Sequence, residues 1–485
     1  MVIRNLVRAP LRFRRIYAPT VSVLSCRTPF SPSINPTGQR TLAQYSKPEQ
    51  DEPNKPQEPR ILFGKDKLTT ELDGRPVSLS YIRLRDHCRC PRCVDPHSQQ
   101  RNFRTSDIPV NIKAKSLKWD KDILWATWDR DVPGFDASHV SAYSLQQLQH
   151  PIRYAAMSSV GPHRTRARWN QRKMQVYQHW ISYRDYMHDD EEFAKAMRSL
   201  SVYGLVFVKD IPDSREMVEK IATRIGPLRN SFYGPTWDVR KVPQAKNVAY
   251  TSQFLGFHMD LMYMNEPPAV QLLHCLQNSC DGGESLFVDT FQVAKYMAIR
   301  FPKEFETLTK TSLRYEYHHK DHSYSRSRMV IDTARLDGPG PHITNVNYSP
   351  PFQGPEIEVA DTPSASVQWQ REQIKALGVF AHLLEKESNM FELKLKPGQC
   401  VIFENRRVAH ARRQFNTGRG ERWLAGAYLD EDVVRSRYRV LQDAYPGAWL
   451  KFNKTHEDLR ENALYASAVP SAPVSSNAFE DQELC

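Results

Sequence analysis

The sequence predicts a mainly β chain with flanking helices: an antiparallel barrel or jelly roll, preceded by a small N-terminal β domain. Three observations carry this reading. At 485 residues the chain is long enough for two domains with a large core. Its 33 prolines and few long periodic apolar segments weigh against a helical bundle. Finally, β-rich runs separated by tight turns dominate the C-terminal half.

Residues 1–48 hold seven Arg and one Lys with no Asp or Glu, and are rich in Ser and Thr. That composition, with the short apolar-basic segment 6–17, predicts a mitochondrial transit peptide and hence a matrix location. The segment carries eight of the twelve net positive charges, leaving +4 for the remainder. So mild a charge gives little reason to expect a nucleic-acid partner. No apolar run is long enough to span a bilayer. Residues 49–59 are polar and proline-rich, as in a linker.

Residues 60–150 read as the small β domain. Pro76–Leu84 and Asp122–Trp128 have strand character. Between them lies Cys88-Arg89-Cys90-Pro91-Arg92-Cys93. Three sulfurs so close can converge on one tetrahedral Zn²⁺, which then lacks one ligand. His139 is the nearest downstream candidate in a strand-like context; His87 and His97 also lie nearby, though His87 adjoins Cys88 and would be strained as a co-ligand. Four protein ligands leave no open position, so this zinc would be structural. The rival, a zinc module that binds nucleic acid, needs a basic stripe. Asp107, Asp120, Asp122, Asp129, Asp131 and Asp136 argue against one.

Residues 151–460 read as the jelly roll. A helix is expected over Asp189–Leu200, its acidic first turn suiting the helix dipole, and another over Met217–Ile225. Strands are expected at Tyr203–Val208, Ala269–Leu276, Glu284–Val288, on either side of the Pro397-Gly398 turn, and at Arg422–Asp430, with Gly282-Gly283 as a turn. Residues 461–485 are Ser/Ala/Pro-rich and read as a disordered tail.

Four His-x-Asp triplets occur: His188/Asp190, His258/Asp260, His319/Asp321 and His456/Asp458. On an extended strand, residues i and i+2 share a face, so each pair could offer two ligands to a metal. Only His258/Asp260 has an apolar frame and downstream partners. His410 follows an apolar strand and can complete a 2-His-1-carboxylate face, which holds Fe(II) with open positions. Arg422 begins an apolar strand, where a buried guanidinium needs an anion. Tyr428, six residues on, shares its face. Tyr233, Trp237 and Tyr250 lie upstream in Gly/Pro-interrupted segments, and several aromatic faces around a pocket bind a quaternary ammonium.

Over about residues 60–450 the chain resembles the γ-butyrobetaine dioxygenases and the related trimethyllysine dioxygenase. The likeness is carried by Leu84-Arg85-Asp86 before the cysteines, Tyr233–Trp237, Asn247–Thr251, His258-x-Asp260, Gln271–Cys275, Gly282-Gly283, His410–Arg413 and Gly426–Tyr428. The resemblance implies a dioxygenase of the taurine-dioxygenase-like fold, a double-stranded β-helix (jelly roll), using O₂ and 2-oxoglutarate, with ascorbate as reductant and a homodimer as the expected assembly. It implies Fe(II) on His258, Asp260 and His410, 2-oxoglutarate on Arg422, and structural zinc on Cys88, Cys90, Cys93 and His139. Tyr233, Trp237, Tyr250 and Tyr428 match the trimethylammonium cage, and Asn247 and Asn347 match amides holding the substrate carboxylate. A neutral Asn247 suits γ-butyrobetaine, converted to L-carnitine, over trimethyllysine, whose enzyme carries an acid there. Intact His258, Asp260, His410 and Arg422 argue against an inactive scaffold. Met259, Met262-Tyr263-Met264 and Glu404-Asn405-Arg406-Arg407 depart from the family pattern.

Overall fold

The computed structural model describes residues 61–72, 75–144, 148, 166–240, 252–334, 342–355, 366–416, 418 and 420–450. The transit peptide, the linker, the tail, His456/Asp458, Asn247 and Tyr250 lie outside the described residues. The chain divides into two compact units, one ending at Ser78 and one beginning at Leu79. In the first, β1 (Leu62–Phe63), β2 (Lys67–Leu72) and β3 (Arg75–Ser80) form a sheet in that order, burying Leu68, Thr70 and Val77.

The strand expected over Pro76–Leu84 ends at Ser80 and gives way to a helix, Tyr81–Asp86. The Ser80 hydroxyl accepts the Arg83 amide, an N-cap, and Tyr81, Leu84 and Arg85 are buried at helical spacing. Beyond it, β4 (Ala114–Asp120), β5 (Ile123–Trp128) and β6 (Ser141–Ser144) make an antiparallel sheet.

The jelly roll follows. Its strands are β7 (Trp180–Ser182), β8 (Leu205–Lys209), β9 (Thr236–Arg240), β10 (Leu255–His258), β11 (Val270–Asn278), β12 (Asp281–Gly282) and β13 (Ser285–Asp289). After β14 (Ser312–His319), β15 (His322–Met329), β16 (Ile331–Ala334) and β17 (His342–Val346) come β18 (Met390–Leu393), β19 (Gln399–Glu404), β20 (Val408–Arg412), β21 (Phe415–Asn416) and β22 (Arg422–Leu429). One sheet runs β7-β8-β19-β11-β22-β9 and the other β10-β20-β13-β18. The polar run around His319/Asp321 is a hairpin of β14 and β15, with His319 opposite His322.

Both faces of the larger sheet are buried, so its strands read as continuous apolar runs, yet the alternation survives. Leu273, Cys275, Val401, Phe403, Leu424 and Tyr428 pack in the core shared with the other sheet. Leu272, Leu276, Cys400, Ile402, Ala425 and Ala427 pack in a second core with the helices Asp190–Tyr203, Met217–Ile225 and Glu431–Ala444. The first of these helices is capped by Asp189, whose carboxylate accepts the Glu191 and Glu192 amides. It runs through Tyr203, displacing the expected strand start to Leu205; Gly204, at φ 74°, ends it in the left-handed conformation. No helix among the described residues is long and apolar enough to cross a membrane.

One buried ion pair ties these layers together. Arg407, between β19 and β20, donates to both carboxylate oxygens of Asp289 (3.2 and 3.0 Å) and to the carbonyls of Val202 (2.8 Å) and Ala167 (2.6 Å). Asp289 also accepts the amides of Trp169 and Phe291. Removing one partner leaves the other charge buried and uncompensated. Arg407→Ala is expected to destabilise the fold by about 3–5 kcal/mol in urea titration. A loss below about 1 kcal/mol, the range of exposed pairs, would refute this anchoring role.

Candidate active site

His258 is the last residue of β10 and stands opposite His410 on β20 in the strand register. Their rings lie 4.2 Å apart, centroid to centroid. The strand ends there, so Asp260 is not delivered by the extended i, i+2 geometry expected. Instead the chain turns: the Met259 amide donates to the Tyr348 carbonyl (2.9 Å) and Leu261 takes a left-handed φ of 58°. One ligand atom from each of His258, Asp260 and His410 lies within 4.8 Å of the others. His258 Nδ1 bonds the Gly256 carbonyl (2.8 Å), turning Nε2 toward Asp260 Oδ1 (3.5 Å). The other Asp260 oxygen accepts the Tyr428 hydroxyl (2.7 Å).

Burial works to raise the Asp260 carboxyl. The His258 contact, the charges of His410 and His258, and the Tyr428 hydrogen bond outweigh it and hold the group well below the usual carboxylate range. Burial, reinforced by the charge of His258, pushes the His410 imidazole down to about 3, which keeps it neutral and able to ligate. His410 Nδ1 is buried without a hydrogen-bond partner. Two imidazoles, an ionised carboxylate and an orphaned ring nitrogen fit a bound cation.

A cavity of about 760 Å³, its open mouth included, surrounds this triad. Tyr233, Trp237, Tyr263, Phe352 and Tyr428 supply aromatic walls; Gln271, Ser285, Arg412 and Arg422 supply polar ones. Strand alternation explains the choice, since Arg422, Leu424 and Tyr428 of β22 and Gln271 and Leu273 of β11 all face inward. Trp237 meets Tyr428 at 4.9 Å, ring to ring and tilted by 35°, and lies over Gly426, where an added Cβ would sit 2.3 Å from the indole. Arg422 Nε donates to the Gly283 carbonyl (3.3 Å). Gly283 has φ 74°, and a Cβ there would come within 3.1 Å of the Arg422 side chain. Burial lowers the Arg422 guanidinium to about 10; burial and the charge of Arg422 lower Arg412 to about 9. Both stay cationic at neutral pH, and both face the cavity.

Asn347 does not belong to this cavity. It is fully buried, and its amide is consumed internally, donating to the Met329 carbonyl (2.7 Å) and Asp332 (3.1 Å) and accepting Arg406 (2.8 Å). Tyr263, Phe352, Gln271, Ser285 and Arg412 were not singled out as site residues from the sequence. Tyr263 and Arg412 lie three and two residues from metal-ligand candidates, a signal that was available; Phe352 arrives from a distant loop and had none. The competing triplets have ordinary roles: Asp190 pairs with Arg224 (2.6 Å) at a helix start, and His319 and Asp321 are exposed on the hairpin.

The second cluster is equally compact. His139 Nε2 lies 3.7, 3.4 and 3.3 Å from the sulfurs of Cys88, Cys90 and Cys93. His139 Nδ1 meets Asp131 Oδ2 at 2.5 Å, and Asp131 Oδ1 meets Arg85 Nε at 2.5 Å. A carboxylate on the far ring nitrogen fixes the tautomer that points Nε2 at a metal, and this donor set suits tetrahedral zinc. His87 and His97 take no part in the cluster.

A model of the taurine catabolism dioxygenase TauD, TfdA family matches residues 171–428, and one of the gamma-butyrobetaine hydroxylase-like N-terminal region matches 67–178. The chain is 31% identical over 377 residues to Dioxygenase str8 of Strobilurus tenacellus, covering 74% of this chain and 84% of that protein. It is 30% identical over 371 residues to gamma-butyrobetaine dioxygenase of Homo sapiens (74% of this chain, 90% of that protein). It is likewise 30% identical over 378 residues to the mitochondrial trimethyllysine dioxygenase of Homo sapiens (75% and 83%). With an iron-type triad and a cationic, aromatic cavity inside a jelly roll, the chain belongs to the TauD, TfdA family, in its γ-butyrobetaine and trimethyllysine dioxygenase branch, and is an Fe(II)- and 2-oxoglutarate-dependent dioxygenase.

Proposed function

We propose that His258, Asp260 and His410 hold the Fe(II), that Arg422 anchors 2-oxoglutarate, and that the enzyme hydroxylates a trimethylammonium acid, γ-butyrobetaine, to L-carnitine. The observation that carries this reading is a single cavity joining the triad, a buried guanidinium and several aromatic faces. Iron, when bound, supplies the oxidative decarboxylation of 2-oxoglutarate by O₂, to succinate and CO₂, that drives hydroxylation of an unactivated C–H bond. The chain supplies position and exclusion of water. Arg422, desolvated and held by Gly283, offers a carboxylate a charge-assisted anchor. Tyr233, Trp237 and Tyr428 attract a quaternary ammonium through their ring faces, and Tyr263 and Phe352 extend that wall. Tyr428 donates to Asp260, so one side chain bridges the cation's wall and the metal ligand.

The lining also favours γ-butyrobetaine over trimethyllysine. Among the described residues facing the cavity, Asp260 is the single carboxylate, leaving none to pair with the second ammonium of trimethyllysine. The Cys88, Cys90, Cys93 and His139 cluster is assigned a structural zinc, all four positions being filled by protein. A matrix location accords with the composition of residues 1–48 and with relatives named mitochondrial. Ascorbate as reductant, a homodimer and the absence of a nucleic-acid partner complete the reading; the first two rest on family likeness.

Purified enzyme with Fe(II), 2-oxoglutarate and O₂ should release succinate with γ-butyrobetaine and yield a product one oxygen heavier by mass spectrometry. Inertness of γ-butyrobetaine beside turnover of trimethyllysine would overturn the substrate choice. Gly283→Ala, which crowds Arg422, is expected to raise the KM for 2-oxoglutarate severalfold with a smaller effect on that for substrate; the reverse pattern would displace Arg422 from its role. Trp237→Leu removes one ring face, and steady-state kinetics should show substrate KM rising about 3- to 30-fold, as loss of a cation–π contact of ~0.5–2 kcal/mol requires. An unchanged KM would remove Trp237 from the cage.

A further inference from the structure

Asp260 reaches the triad from a turn, and the turn has no regular secondary structure to hold it. At Asp260 itself the backbone is held by one side-chain amide, 145 residues on in the sequence. Asn405, fully buried between β19 and β20, accepts the Asp260 backbone N–H on Oδ1 (2.8 Å). Its Nδ2 donates to the Asp260 carbonyl (2.9 Å) and to the Pro268 carbonyl (3.1 Å). Both backbone groups of the ligand residue are thus held by one side chain, and both amide protons of that side chain are used.

Asn405 is itself immobilised. Its backbone N–H donates to the Ala269 carbonyl (2.8 Å). Arg406 is bound to Asn347 and Asp332, and Arg407 to Asp289. The turn it grips is strained: Leu261, directly after Asp260, is buried with φ at 58°, a conformation that costs a branched side chain and persists only where its surroundings impose it. Farther along, Arg328 caps the same turn by donating to the carbonyls of Met262 (3.0 Å) and Asn265 (2.7 Å).

We propose that Asn405 is the positioning residue of the iron site: its amide, braced by the β19–β20 turn, imposes the strained Asp260-Leu261 backbone and so sets the carboxylate against His258 and His410. This rests on the assignment of those three residues to iron. Asn405 touches neither metal nor substrate; it acts through the backbone of Asp260.

The test is calorimetric binding of Mn(II), a redox-inert probe, to zinc-replete wild type, His258→Ala, Asn405→Ala and Asn405→Asp, each with its thermal melt. Asn405→Ala is expected to bind Mn(II) about 10- to 100-fold more weakly, the range seen when outer partners of metal ligands are removed. Asn405→Asp keeps the acceptor for the Asp260 N–H and loses the two donations, and should fall between. A lower melting temperature with wild-type affinity in the folded protein would make Asn405 merely structural and overturn the proposal. If Asn405→Ala does not fold, Asn405→Asp decides alone, and wild-type affinity there is equally fatal. His258→Ala separates the two levels: if it binds Mn(II) as wild type does, the iron assignment itself fails, whereas loss of binding there beside undiminished binding in the Asn405 variants defeats only the positioning role.

Discussion

The site depends on one strand register, the pairing of β10 with β20 that sets His258 opposite His410. Side chains alternate faces along a strand, so a slip by one residue would send one imidazole out of the barrel. Several devices forbid the slip. β20 is paired on its other side by β13, with Phe287 opposite His410, and is buried throughout. The Arg407–Asp289 pair pins the entry to β20 against the end of β13. A buried ion pair is a poor source of net stability, but it makes misregistered alternatives expensive, since each would strand a charge.

The same alternation builds the cavity. Strands β11 and β22 are buried on both sides, and the residues they turn inward are those that line the cavity. The neighbours on the helix side are small or aliphatic and pack against the helices. Chemistry and packing therefore occupy opposite faces of the same strands, one residue apart. Close backbone approach completes the arrangement: Gly426 leaves room for the Trp237 indole, and Gly283 leaves room for Arg422.

Much of this was legible because it is local. Strands β11, β13, β19 and β22 announce themselves as apolar runs between glycine and proline turns, and His410 and Arg422 follow at positions a strand can present. What was not legible is settled by partners far away in sequence. Asp260 was expected on a strand; its turn is imposed by Asn405, 145 residues on, which no local pattern reveals. Asn347 was expected to meet substrate, but a buried amide goes to its nearest strong donor, and that donor, Arg406, comes from the β19–β20 turn. The Tyr81–Asp86 helix was read as strand because its β-favouring residues also satisfy a helical spacing, and the Ser80 cap decides between them.

Charge in the cavity bears on the substrate independently of shape. Arg412 and Arg422 bring two positive charges and Asp260 one negative. Adding a divalent iron and the 2-oxoglutarate dianion leaves the described lining with a net charge of about +1. In a desolvated site a net like charge is costly, because effective screening is far weaker than in water. γ-Butyrobetaine is a zwitterion of no net charge: its ammonium can be taken by ring faces, which need no counter-ion, and its carboxylate meets a positive field. Trimethyllysine carries one further positive charge into the same field, and the described lining offers it no acid besides Asp260, already counted. Aromatic rings recognise both molecules equally well at the quaternary head, so discrimination must lie at the other end. On the proposed reading, the field of two buried guanidinium groups facing the cavity suits the neutral zwitterion better than the extra cation.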